Sequence, residues 1–262
     1  MRDPTGGNQG EWPQTWYSTN LVGLPVACLA STEFNQAPVP LHIGGTRNAH
    51  AGLFSLLQRC DSSSEASDVF VHYMALAFSL QPDPGARTPG EARRWRSSYT
   101  KLIQGWGLNS SGPAGAVLKG WVESRFGLVP RFHKAPLSRF PSPAWVDYLE
   151  EKVSSRYHNN CIDLQLDVLY EFAQWTLERF QPFGTALHLV CWRGIGLDEV
   201  ISTGGRAGAA SGRCVLRLNN VVSLSTGAHL AECFGDRLYQ VRVPMPKVLY
   251  YPGLIPGMPL AG

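Results

Sequence analysis

The stretch from 162 to 192 reads IDLQLDVLYEFAQWTLERF (Ile162–Phe180), QPFG (Gln181–Gly184) and TALHLVCW (Thr185–Trp192). In the first piece Leu166, Leu169, Tyr170, Ala173 and Leu177 recur at spacings of three and four, the signature of a helix with one apolar face. Proline and glycine in the second piece stop that helix. The third is a short apolar run of strand character. The change of period divides the chain into a mostly helical part (about 1–182) and a β-rich part (about 183–262). Helices first and strands later predict an α+β fold, with the helical N-terminal part packed on a mixed or antiparallel β core.

Upstream, Asn20–Pro25 reads as a turn-rich stretch. A helix is expected over Ser64–Leu80, capped by Ser63 or Ser64, with Val69, Phe70, Tyr73, Met74, Ala77 and Phe78 on one face. Further helices are expected over Glu91–Gln104, over Pro113–Phe126, and from a Ser142 cap through Trp145, Leu149, Val153 and Tyr157. Four prolines make Pro130–Pro143 a loop. Downstream, strands are expected over Arg213–Ser225 (RCVLRLNNVVSLS), Leu238–Val243 and Val248–Tyr251. One or two helical turns fall in Gly227–Phe234, and a mobile loop in the Gly- and Ala-rich Ser202–Gly212.

The chain has 262 residues, 44% hydrophobic and 16% charged, with a net charge of +3. A core for one domain is affordable. Nothing in that charge balance points to nucleic acid or an acidic membrane. Arg93, Arg94 and Arg96 form the densest basic cluster, read as a solvated helix face or a patch for an acidic partner. The six cysteines form no CxxC pair, which favours buried free thiols in a reducing cytosol and argues against zinc. The seven histidines are scattered, and Gly204-Gly205 lacks the order of strand, glycines and helix that a phosphate loop needs. No apolar run approaches the ~20 residues of a membrane span, and Met1–Trp12 has no signal-peptide pattern. A cytoplasmic protein without a metal site is expected.

Three features follow one another in the β-rich part. Arg193-Gly194 closes the apolar run. An arginine fixed there presents a planar charged fork suited to a pyrophosphate or carboxylate, and glycine allows close approach to the backbone. Ser225-Thr226-Gly227 follows Val221–Leu224, offering hydroxyls that can bond a ribose. A short helix with Ala231 and Phe234 comes next, then Gly235. Singly, each has a plainer account: a surface arginine, a helix cap, a packed turn.

Together and in this order they resemble the Arg–Ser–Glu class of mono-ADP-ribosyltransferases, with Arg193 at the first position and Ser225 at the second. Gly227 stands where that class usually has another serine. The segments Ser18–Pro25 (STNLVGLP), Phe34-Asn35, Ala51–Phe54 (AGLF) and Val248–Leu254 (VLYYPGL) narrow the resemblance to the dinitrogenase reductase ADP-ribosyltransferase family along nearly the whole chain. It implies one ADP-ribosyltransferase domain whose residues 183–262 bind NAD. NAD is then the substrate, its ADP-ribose passing to an arginine of dinitrogenase reductase, with a P-II nitrogen-regulatory protein as a further partner. Arg193 would hold the phosphates, Gly194 the nicotinamide amide, and Ser225 with Thr226 the ribose, with Ser225 also orienting a catalytic glutamate. That class carries a Glu-x-Glu-like motif late in the chain, about where this sequence ends at Leu260-Ala261-Gly262. Glu199 precedes Ser225, and Glu232 follows too soon and on a helix. The resemblance then leaves two readings: an active transferase whose acidic motif is truncated from the sequence as given, or a non-catalytic relative that binds NAD and the partner protein only. In either case the chain as given is expected to bind NAD and to transfer ADP-ribose poorly.

Overall fold

The computed structural model describes residues 20–80, 96–195, 218–235 and 237–258. Four short helices come first: α1 (Val26–Leu29), α2 (Thr32–Gln36), α3 (Thr46–Ala49) and α4 (Ala51–Leu57). Then follow α5 (Ser63–Ala77), α6 (Tyr99–Leu108) and α7 (Pro113–Phe126). A minimal antiparallel hairpin of β1 (Phe132–His133) and β2 (Ala135–Pro136) leads to α8 (Pro143–Ser154) and α9 (Ile162–Phe180). Last come β3 (His188–Ile195), α10 (Ala228–Ala231), a 3-10 turn over Glu232–Phe234, and β4 (Arg237–Pro244), which pairs antiparallel with β3.

Helix starts follow local chemistry. The hydroxyls of Ser62, Ser98 and Ser142 accept the amides of Glu65, Lys101 and Trp145, three residues on, each satisfying one orphan N–H of a first turn. The α5 cap is therefore Ser62, one residue before the expected pair. Of the expected Glu91–Gln104 helix, residues 91–95 lie outside the described residues; the described helix starts at Tyr99, after the extended Ser98 (φ −139°, ψ 151°), and runs on to Leu108. α7 matches its sequence bounds, with proline in its first turn and left-handed Gly127 (φ 72°) ending it.

The core centres on α9, whose residues are buried without a break from Gln165 to Leu177. Phe172 stacks on Phe70 of α5 at 4.0 Å, and Phe126 meets Tyr170 edge-on at 5.3 Å. A helix buried all round should be apolar all round, yet this one carries Gln165, Asp167, Glu171, Gln174 and Thr176. Each is satisfied by a segment that wraps it. Gln165 accepts the Tyr99 amide and donates to the Ser97 and Asn160 carbonyls. Asp167 accepts from Trp121 and twice from Arg125. Glu171 accepts the Ile43 amide and Arg47 Nε, Gln174 donates to the Val248 carbonyl, and Thr176 accepts from the Tyr251 hydroxyl. The polar face of α9 therefore ties irregular backbone to the core.

The β-rich part differs from expectation. β3 begins at His188 and continues past Trp192 to Ile195, in register from His188 opposite Pro244 to Ile195 opposite Arg237. Arg193 thus lies within the strand and does not close it. Leu218–Leu224 is not a strand, and Ser225 makes a single bridge. Residues 196–217, with the expected loop and the start of the Arg213–Ser225 strand, lie outside the described residues. Val248–Tyr251 is irregular and not the expected strand, with Val248 and Tyr251 turned into the core. Among the described residues the β structure is two antiparallel two-stranded sheets, and no described helix is long and apolar enough to cross a membrane. The five described cysteines are free. Cys60 and Cys191 are buried, while Cys161 and Cys233 are exposed, contrary to the reading of all as buried.

Candidate active site

The residues expected at the site lie where the Asn219–Ser225 segment meets β3. Trp192 and Ser225 exchange both main-chain hydrogen bonds, Trp192 N to Ser225 O at 2.7 Å and Ser225 N to Trp192 O at 2.9 Å. Ser225 therefore stands across from the neighbour of Arg193, although the two are widely separated in sequence. In a regular antiparallel ladder the next rung would join the Gly194 amide to the Ser223 carbonyl. Here the Arg193 guanidinium donates to that carbonyl through Nη1 at 2.9 Å. The arginine is half-buried, so its fork is held at the strand edge.

Gly194 is buried, and a Cβ there would stand 2.1 Å from the Ala231 carbonyl oxygen and 2.9 Å from the Gly235 amide. Its partner in this packing, Gly235, has the Ile195 backbone within 2.5–2.7 Å of the Cβ position. Two glycines thus let α10 and the 3-10 turn sit directly on β3. Thr226 is exposed in the bend after Ser225, and Glu232 is exposed on the turn beside Gly194.

Sequence reasoning missed the residues that hold this segment. Asn220 Nδ2 donates to the carbonyls of Lys119 (3.0 Å) and Leu128 (2.8 Å). Asn219 accepts the Arg131 amide and donates to the Phe132 carbonyl. Trp106 Nε1 donates to Ser223 Oγ at 3.1 Å. Beneath lies Lys119, 1% exposed, donating to the Phe132 carbonyl and to His133 Nδ1, with its Nζ 5.8 Å from the Trp106 ring centre. His133 Nε2 faces Glu151 at 2.8 Å, so the neutral ring carries its proton on Nε2. Burial pushes the Lys119 ammonium down to about 8 and lowers His133 as well. Neighbouring asparagines flanked by apolar residues were the available signal, since their side chains compete with a ladder for backbone groups.

Among the described residues no cluster of His, Cys, Asp and Glu could hold a metal ion. A guanidinium on β3 with the Ser225 and Thr226 hydroxyls on the bridged segment has the chemistry to take an anion bearing a sugar. A family model described as dinitrogenase reductase ADP-ribosyltransferase matches residues 19–262. The chain is 42% identical over 253 residues to the NAD(+)--dinitrogen-reductase ADP-D-ribosyltransferase of Rhodospirillum rubrum, covering 95% of this chain and 91% of that protein. No solved structure matches the chain. The chain belongs to the dinitrogenase reductase ADP-ribosyltransferase family.

Proposed function

We propose that this protein transfers ADP-ribose from NAD to an arginine of dinitrogenase reductase and so switches nitrogenase off. The observation that carries this is the 42% identity to the Rhodospirillum rubrum enzyme along 95% of the chain. The fold reading is that β3, β4 and the Ser225 bridge belong to a β core of ADP-ribosyltransferase type. A P-II regulator rests on the resemblance alone, and a cytoplasmic location on the cysteine pattern of the sequence.

In this reading Arg193 binds the pyrophosphate of NAD, with its fork oriented by Ser223. Ser225 and Thr226 offer hydroxyls to the ribose, and the Gly194 backbone meets the nicotinamide amide. The glycosidic bond breaks with its electron pair leaving on nicotinamide, while an arginine nitrogen of the acceptor bonds the same ribose carbon and loses a proton. Positive charge builds on the ribose as the bond breaks, so an acidic side chain is the strongest stabiliser. Glu232 follows Ala231, whose carbonyl packs on Gly194, but its place on an exposed turn argues against that role.

The test incubates the protein with labelled NAD and dinitrogenase reductase and maps the modified residue by mass spectrometry. Label on an arginine is expected, reduced by Arg193→Ala and Ser225→Ala. Glu232→Gln is expected to keep the rate within about twofold, whereas a loss of about 10² or more would assign the stabiliser to Glu232. Absence of labelling and of NAD binding by the unaltered protein would overturn the reading.

A further inference from the structure

We propose that Trp106, on a helix remote in sequence from the NAD site, is a positioning residue that sets the direction of the Arg193 guanidinium through Ser223; this rests on the reading of Arg193 as the phosphate-binding residue. Ser223 has two partners. Its carbonyl accepts Arg193 Nη1 at 2.9 Å, and its hydroxyl accepts Trp106 Nε1 at 3.1 Å. One residue thus links the indole of α6 to the arginine of β3.

The surroundings make the link directional. Trp106 is 8% exposed and its ring packs near the buried Lys119 ammonium, so the indole N–H is fixed by the core. Ser223 is exposed and lies in an irregular segment. Upstream that segment is tied down by Asn219 and Asn220, and downstream by the Ser225 bridge. Between those anchors the Trp106 bond reaches the residue that accepts Arg193. A long guanidinium stem has many rotamers, and ordering it on binding costs affinity. A carbonyl held in place removes part of that cost beforehand.

Trp106→Phe keeps an aromatic ring in the core and removes the donor with the pyrrole half of the indole. Ser223→Ala removes the acceptor at an exposed position and leaves the core intact. NAD affinity by calorimetry and the KM–kcat split are measured for both, for the double variant and for Arg193→Ala. Each single variant is expected to weaken NAD binding about three- to tenfold, the effect of one hydrogen bond, with kcat within about twofold, as for lost uniform binding. The double variant is expected to be no weaker than the worse single one, because both remove the same link. Additive losses, or unchanged NAD affinity in Ser223→Ala, would overturn the proposal even if Trp106→Phe failed to fold. Binding that needs Arg193 but neither Trp106 nor Ser223 would overturn this inference alone. No NAD binding by the unaltered protein would overturn it together with the proposed function.

Discussion

Trp192 and Ser225 hold each other by both main-chain hydrogen bonds, at 2.7 and 2.9 Å, so the position of the Ser225 hydroxyl is set by its backbone. Ser225→Ala should leave the bridge and the melting temperature nearly unchanged while lowering transfer activity. Ser225→Pro also removes the N–H that donates to Trp192 and should weaken NAD binding further than loss of the hydroxyl alone. Calorimetric NAD titration of the two variants separates the cases, and equal affinity in both would detach the bridge from binding.

Gly194→Ala should be costly wherever NAD binds. The new Cβ would stand 2.1 Å from the Ala231 carbonyl, a backbone atom that can yield only if α10 moves. Overpacking of this kind typically costs about 1–3 kcal/mol. Chemical unfolding of the ligand-free protein checks it, and a variant as stable as the original would mean that α10 shifts freely.

Asp167→Ala should be among the most destabilising single changes. The Asp167 carboxylate, 4% exposed, accepts Trp121 Nε1 at 2.7 Å and two guanidinium bonds from Arg125. Its removal leaves the largely buried Arg125 with only Ser124 Oγ and a 3.9 Å contact to Asp163; breaking a buried pair in this way commonly costs about 3–5 kcal/mol. A fall in the urea midpoint with an unchanged slope is the expected signature.

Stability should rise with pH between about 8 and 9. Burial holds Lys119 and Lys247 at about 8 in the folded protein, against an ordinary 10.5. Above pH ~8 the unfolded chain therefore binds more protons than the folded one, so unfolding becomes harder as pH rises. Above about 9 the buried Cys60 and Cys191 thiols, raised by burial, oppose the trend, because the unfolded chain releases their protons first. Urea unfolding across this window should show the rise, and Lys119→Met should flatten it.

What could be read from the sequence depended on the range of the interaction. α7 and α9 were legible because proline, glycine and apolar spacing act within a turn or two. α1 to α4, four to seven residues each, are too short for a period to emerge. The Arg213–Ser225 strand failed over Leu218–Leu224, where Asn219 and Asn220 spend their side chains on the backbone of α7 and its following loop. Arg193 and Ser225 were singled out by family likeness and the order of motifs. Trp106 and Ser223 meet across 117 positions, and no local spacing records such a contact.

The unbroken burial of α9 from Gln165 to Leu177 gives it no face on which mutation is silent. Across that segment tolerance to substitution should lack the 3.6-residue rhythm of a surface helix. Apolar positions would accept only residues of similar volume, and polar ones only residues that reproduce the same donors and acceptors. A saturation library scored for soluble expression should therefore show thirteen consecutive intolerant positions, not alternating patches of freedom.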